Sequence, residues 1–169
     1  MPILETERLL VREFTPEDAP FILELLNEPA FIRFIADKGV RDLAGAGRYL
    51  RNGPFASYAR HGFGLWQVAL KDGGIPVGMC GLLRRDTLEH PDLGFAFLAR
   101  HTGKGYAFEA ASAALVHARS VLKLGPILAL TAAENPSSIK LLGKLGFRFE
   151  RMIDLPGYTE PSRLFLHDR

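Results

Sequence analysis

The stretch from Asp92 to Leu122 constrains this chain most. A short apolar run, Leu93, Gly94, Phe95, Ala96, Phe97 and Leu98, leads into the loop Arg100 to Gly105, where two glycines flank a lysine. A run of helix formers follows, from Tyr106, Ala107, Phe108 and Glu109 through a string of alanines to Leu115. Strand, glycine loop and helix in that order can make an anion site. The first-turn amides of a helix have no intrahelical acceptor and lie at the positive end of its dipole. Glycine lets an anion reach the backbone with no side chain in the way, and Lys104 adds a mobile cation. An ordinary strand-to-helix connection has the same pattern, so the loop takes its meaning from the rest of the chain.

Composition removes several function classes. At 169 residues the expectation is a single domain, 1–169, with enough chain to bury a core. A net charge of +2 with no long Lys/Arg run argues against nucleic acid as a partner. No apolar run is long enough to span a bilayer and the first residues lack a signal pattern, so no membrane partner and a cytoplasmic location are expected. The lone cysteine, Cys80, excludes an internal disulfide and a cysteine-based zinc site. It lies in an apolar strand and reads as a core thiol. His61, His90, His101, His117 and His167 show no ligand spacing, so no metal is expected.

The remaining elements follow from periodicity and punctuation. Leu9 to Val11 read as a first strand. Thr15 caps a helix with Pro16 at its first position and Phe21, Ile22, Leu25 and Leu26 as its apolar stripe. Pro20 fits awkwardly inside that helix, which should stop before Pro29. Residues 31–40 read as irregular. Asp42 caps a second helix carrying Tyr49, Leu50, Phe55 and Tyr58, interrupted near Gly53 and Pro54. Leu65–Leu70 and Val77–Leu83 form a hairpin about Asp72, Gly73 and Gly74, and the run from Leu93 adds a third antiparallel strand. Phe63, Trp66 and Tyr58 read as core or cleft wall. The helix after Gly105 should bury Phe108, Ala111, Leu115, Ala118 and Leu122. Ile127–Thr131 is a strand parallel to its predecessor. Asn135 caps a short helix with Pro136 at its first position and Ile139, Leu142 and Leu145 facing inward, ended by Gly146. Phe147–Ile153 and Ser162–Leu166 close the fold, an α/β sandwich on a mixed, mostly antiparallel sheet.

This order, with these motifs, resembles the GNAT acyltransferase superfamily, and within it the branch of ribosomal-protein N-acetyltransferases. The resemblance covers nearly the whole chain. It includes the opening Glu5, Thr6, Glu7, Arg8 and Leu9, the glycine loop with its helix, Asn135 to Ser138, and Lys144 to Phe147. The family's pyrophosphate motif is Gln or Arg, two residues, Gly, one residue, then Gly or Ala. It fits Arg100, Gly103 and Gly105 literally, but its last residue lies within the helix in the family. The register therefore falls on Thr102, Gly103, Lys104, Gly105, Tyr106 and Ala107, with Thr102 replacing the usual Gln or Arg. The resemblance further implies that Phe95, Ala96 and Phe97 pair with pantetheine through their backbone, and that Asn135 contacts the cofactor.

The activity so implied is acetyl transfer from acetyl-CoA to a primary amine, of a protein N-terminus or a small molecule. A strand amide near Phe97 would hold the acyl oxygen. Many relatives deliver a proton to the leaving thiolate from a tyrosine seven residues after the Asn; here that position is Leu142. The ribosomal-protein branch places a serine at the position of Ser138, which is then the candidate acid, although it also suits a helix cap. Glu109 is a solvated or capping charge or a catalytic one. Asp92, Glu89 and Asp37 are candidates for the base. Thr102 and Leu142 fit equally a module that binds CoA or acyl-CoA without turnover. A homodimer is expected from the family, through Leu164, Phe165 and Leu166 unless these complete the core.

Overall fold

The computed structural model describes residues 2–168. Its frame is one eight-stranded sheet in the order β1-β2-β3-β4-β5-β6-β8-β7. The strands are β1 (Pro2–Glu5), β2 (Leu9–Arg12), β3 (Leu65–Leu70), β4 (Pro76–Leu83), β5 (Asp92–Phe97), β6 (Ile127–Ala132), β7 (Arg148–Ile153) and β8 (Ser162–His167). Neighbours are antiparallel except β5 and β6, as the helix between those two strands requires. The helices are α1 (Ala19–Leu26), α2 (Pro29–Phe34), α3 (Leu43–Leu50), α4 (Ala56–His61), α5 (Tyr106–Ser120) and α6 (Pro136–Lys144).

Alternation along the strands splits the core in two. Trp66, Val68, Cys80, Leu82, Ile127 and Ala129 face α5 and α6. Leu65 and Met79 point the other way, against Ile22, Leu25, Leu26, Phe31 and Leu50. Alanines 110, 111, 114 and 118 form the buried face of α5, so the helix lies close on the sheet. Burial pushes the Cys80 thiol up to about 12, which leaves it an inert core side chain, as expected.

Several local readings change. Pro2–Glu5 form a strand on β2 that alternation had not revealed. Pro29 does not merely end a helix but begins α2, at the position where a missing N–H costs nothing; residues 31–34 are therefore helical. Thr15 precedes a 3-10 turn, Pro16–Asp18, whose Asp18 carboxylate accepts from the Thr15 amide at 2.8 Å. Pro20 then falls in the first turn of α1, where it is tolerated. The break at Gly53 and Pro54 is a π-helical stretch, Arg51–Phe55, that joins α3 to α4. Phe108 is not buried: it is 40% exposed, and Ala110 and Ala114 take the inward positions. Leu164 and Phe165 belong to the monomer's own core, so they offer no interface. The exposed apolar groups at that end are Phe149 and Met152, on the edge strand β7.

Candidate functional site

β5 and β6 are in register only at Asp92 with Leu128 and Leu93 with Ala129. Beyond that point β5 stays with β4 as far as Phe97, and β6 stays with β8 as far as Ala132. The strands splay, and the side of β5 from Gly94 to Phe97 that faces β6 has no ladder partner among the described residues. The β4 side is tight instead. A Cβ on Gly78 would lie 2.5 Å from the Ala96 carbonyl oxygen and 2.5 Å from the Phe97 ring, so only glycine lets the Phe97 ring fold over β4. Thr131, on the β6 wall past the splay, is buried with its hydroxyl unpartnered. A buried hydroxyl and an unpaired strand edge suit an extended polar ligand that can replace the missing strand.

The C-terminal end of β5 leads into the glycine loop. Gly103 and Gly105 have φ of 77° and 83°, in the left-handed region that side chains disfavour. Gly105 is the N-cap of α5 and carries no side chain to satisfy the first-turn amides, which include those of Tyr106 and Ala107. Nothing lies within 4 Å of where a Gly103 Cβ would stand, so the backbone is open to approach. Thr102 also holds the preceding turn. Its amide and hydroxyl both donate to the Ala99 carbonyl, at 3.2 and 2.7 Å, and close the preceding turn. Arg100 pairs with Glu24 of α1, away from the loop. His101, weighed in the sequence only as a metal ligand, has Nε2 buried without a partner. Burial, then Arg100 and Lys104, hold its imidazole below the ordinary range.

At the start of α6, Asn135 Oδ1 accepts from the Ser138 amide at 3.4 Å, and Asn135 Nδ2 donates to Ser138 Oγ at 3.0 Å. Asn135 is thus the expected cap. Because Ser138 Oγ accepts from Asn135, its own proton remains available to donate elsewhere. Leu142 lies fully buried one turn further on, packed in the core.

The base candidates differ sharply. Asp37 is exposed and paired with Arg41 at 2.7 Å; the hydrogen bond from Arg41 holds its carboxyl below the usual range, which makes it a poor proton acceptor. Asp92 is buried against Arg85, 3.1 Å away, and burial pushes its carboxyl up against the pull of that cation. Glu89 is exposed on the loop between β4 and β5. Glu109 is no solvated charge: it accepts from Thr6 and Arg8 of the β1–β2 turn. The surface carries two grooves. One, of about 490 Å³ between α5 and α6, is bordered by Phe108, Ser112, Arg119, Lys144 and His167. The other, of about 270 Å³, is lined by Tyr49, Arg60, His61, Leu65, Leu83 and Arg84. Leu65 and Leu83 of that second groove stand 3.3 Å from where a Gly94 Cβ would be, so it opens beside the splay. Among the described residues no group of His, Cys, Asp and Glu could hold a metal ion.

Comparison with known proteins agrees with this geometry. An uncharacterized N-acetyltransferase of Bacillus subtilis, YoaA, is 26% identical over 154 residues, 90% of this chain and 86% of its own. The crystal structure of an acetyltransferase from Agrobacterium tumefaciens superposes with a TM-score of 0.82 at 23% identity, covering 100% of this chain and 95% of that one. RimL, a ribosomal L7/L12 α-N-protein acetyltransferase solved with coenzyme A, has a TM-score of 0.81 at 11% identity, covering 99% and 98%. The family model for the acetyltransferase (GNAT) domain matches residues 8–148, and with the splayed strands and glycine loop in place the chain belongs to the GNAT acetyltransferase family.

Proposed function

We propose that this chain transfers an acetyl group from acetyl-CoA to a primary amine by direct attack, the amine being a protein N-terminus or a small molecule. The observation that carries the reading is the unpaired edge Gly94–Phe97 ending in a loop whose two glycines are left-handed. The pyrophosphate is held by the backbone of residues 102–107 with Lys104 beside it, Thr102 shaping the loop. The pantetheine arm runs along Phe95, Ala96 and Phe97 and passes Asn135. A backbone amide near Phe97 donates to the acyl oxygen, where negative charge develops. The amine nitrogen bonds to the acyl carbon as the carbon–sulfur bond breaks, and the electron pair leaves on sulfur. Ser138 hydrogen-bonds to that thiolate and relays a proton to it from water, so that the serine ends neutral, and the ammonium proton goes to water or a carboxylate at the acceptor side. Asp37 is the weakest of the three carboxylates for that role, given its bond to Arg41.

The acceptor approaches from the groove beside Gly94, whose lining includes Arg60, His61 and Arg84. A homodimer would use the edge strand β7, where Phe149 and Met152 are exposed. The core position of Leu142, which puts no tyrosine near the thiol, favours a second reading: binding of CoA without turnover. Acetyl-CoA with a panel of peptides, amino acids and polyamines, followed with a thiol reagent, separates the two. Thiol release with any amine is expected. CoA binding without release in every case would leave a binding module.

A further inference from the structure

The Thr6–Arg8 turn is where the opening motif meets the cofactor loop. Thr6 closes the β1–β2 turn: its amide donates to the Leu9 carbonyl at 2.9 Å, and its hydroxyl accepts from the Leu9 amide at 3.0 Å. The turn then reaches α5. The Thr6 hydroxyl donates to Glu109 Oε2, the Arg8 amide donates to the same oxygen at 2.9 Å, and Arg8 Nε donates to Oε1 at 2.7 Å. Burial favours a protonated Glu109, yet the bonds from Thr6 and Arg8 outweigh it and hold the carboxyl below its ordinary range. The anchored guanidinium extends over the loop. Arg8 Nη1 donates to the Lys104 carbonyl at 2.9 Å, Cζ lies 4.6 Å from the Tyr106 ring centroid, and Nη2 stands 3.3 Å from where a Gly105 Cβ would be.

The contact with Lys104 has a directional consequence. In a trans peptide the C=O and the following N–H point opposite ways. Drawing the Lys104 carbonyl toward Arg8 turns the Gly105 N–H away from Arg8, outward from the loop. Gly103 and Gly105 would otherwise leave this segment free to sample many conformations, and ordering it would cost binding free energy. We propose that Arg8, held by Glu109, is a positioning residue that fixes loop 103–105 with its amides turned out for the cofactor's pyrophosphate. This rests on the cofactor reading given above.

The test compares CoA with pantetheine, which lacks the pyrophosphate, by calorimetry on the full chain. Arg8→Ala should weaken CoA by about tenfold and leave pantetheine unchanged, with a cooperative melt retained. Glu109→Gln discriminates positioning from simple attraction. Removing a negative charge near an anion site would tighten CoA if only charge mattered; loss of the anchor should weaken it. The Arg8→Ala, Glu109→Gln double variant should then be no weaker than Arg8→Ala alone. Equal loss of CoA and pantetheine, unchanged CoA affinity in Arg8→Ala, or tighter CoA in Glu109→Gln would overturn the inference. If Arg8→Ala fails to fold, Arg8→Met keeps the stem over Tyr106 and is held to the same outcomes. Wild-type protein that binds no CoA would sink the underlying cofactor reading instead.

Discussion

The two ends of the β5–β6 splay are built from different materials. The open end, where we place the cofactor, is largely backbone: two left-handed glycines, an uncapped helix start and an unpaired strand edge. Its side chains act mostly on the main chain, as Arg8 does on the Lys104 carbonyl and Asn135 on the Ser138 amide. The paired end of β5 is held instead by side chains engaged with one another, Arg85 with Asp92. Arg84 there donates to the backbone carbonyls of Arg85 and Leu88. Backbone recognition needs a shape that a few glycines and caps specify. Side-chain recognition needs particular distant residues brought together, and it can change its ligand without changing the fold.

Breaking the cofactor end at its backbone should have the largest effect. Gly105→Val places a β-branched residue at φ 83°, with its Cβ 3.3 Å from Arg8 Nη2. CoA affinity should fall by roughly 100-fold or more, with circular dichroism retained. Unchanged calorimetric affinity in the folded variant would refute the backbone account.

The paired end should fail by stability instead. Arg85→Ala leaves the buried Asp92 carboxylate without its cation, a loss of about 3 kcal/mol at neutral pH. Burial already raises Asp92, so its folded pKa lies above its unfolded one. Such a group favours the fold below the unfolded pKa, and that contribution is lost as pH rises through the folded value. The deficit of Arg85→Ala should therefore shrink as pH falls from 7 toward 5. Denaturant melts at the two pH values give the sign, and a deficit that grows toward pH 5 would contradict it.

Ser138→Ala sharpens the comparison from the chemical side. Turnover should fall roughly 10²-fold with acetyl-CoA affinity nearly unchanged, the mark of an interaction made in the transition state. Wild-type turnover, with chemistry rate-limiting, would leave Ser138 as a helix cap. The smallest effect is expected at Asp37. Its exposed pair with Arg41 makes it a surface contact, so Asp37→Ala should keep turnover within about twofold. A large loss in kcat would restore it as the base.

Much of this was legible locally. Asn135 with Pro136, Asp42 three residues before Gly45, and the glycines about Lys104 are short-range devices: the first two form the caps their spacing suggests, and the glycines are left-handed. The order of strands and helices was legible too, because periodicity reports burial wherever one face is wet. It failed where that cue was missing. β1 is four residues long and half exposed, and α2 is hidden by a proline that starts a helix as readily as it stops one. Phe108 shares a helical stripe with Ala111, Leu115 and Ala118, but the buried face is centred toward Ala110 and Ala114, which leaves Phe108 at its margin.

The sequence by itself determined most of the elements, the cap of α6 and the glycines of the loop before α5, since these depend on backbone preferences over a few residues. Only the tertiary structure decided that β5 parts from β6 after Leu93, that Glu109 is anchored by Thr6 and Arg8 about a hundred residues away, and that Asp92 is closed off by Arg85. Those outcomes depend on which distant charges and strand edges meet. Chain topology sets such encounters, and no local propensity encodes them.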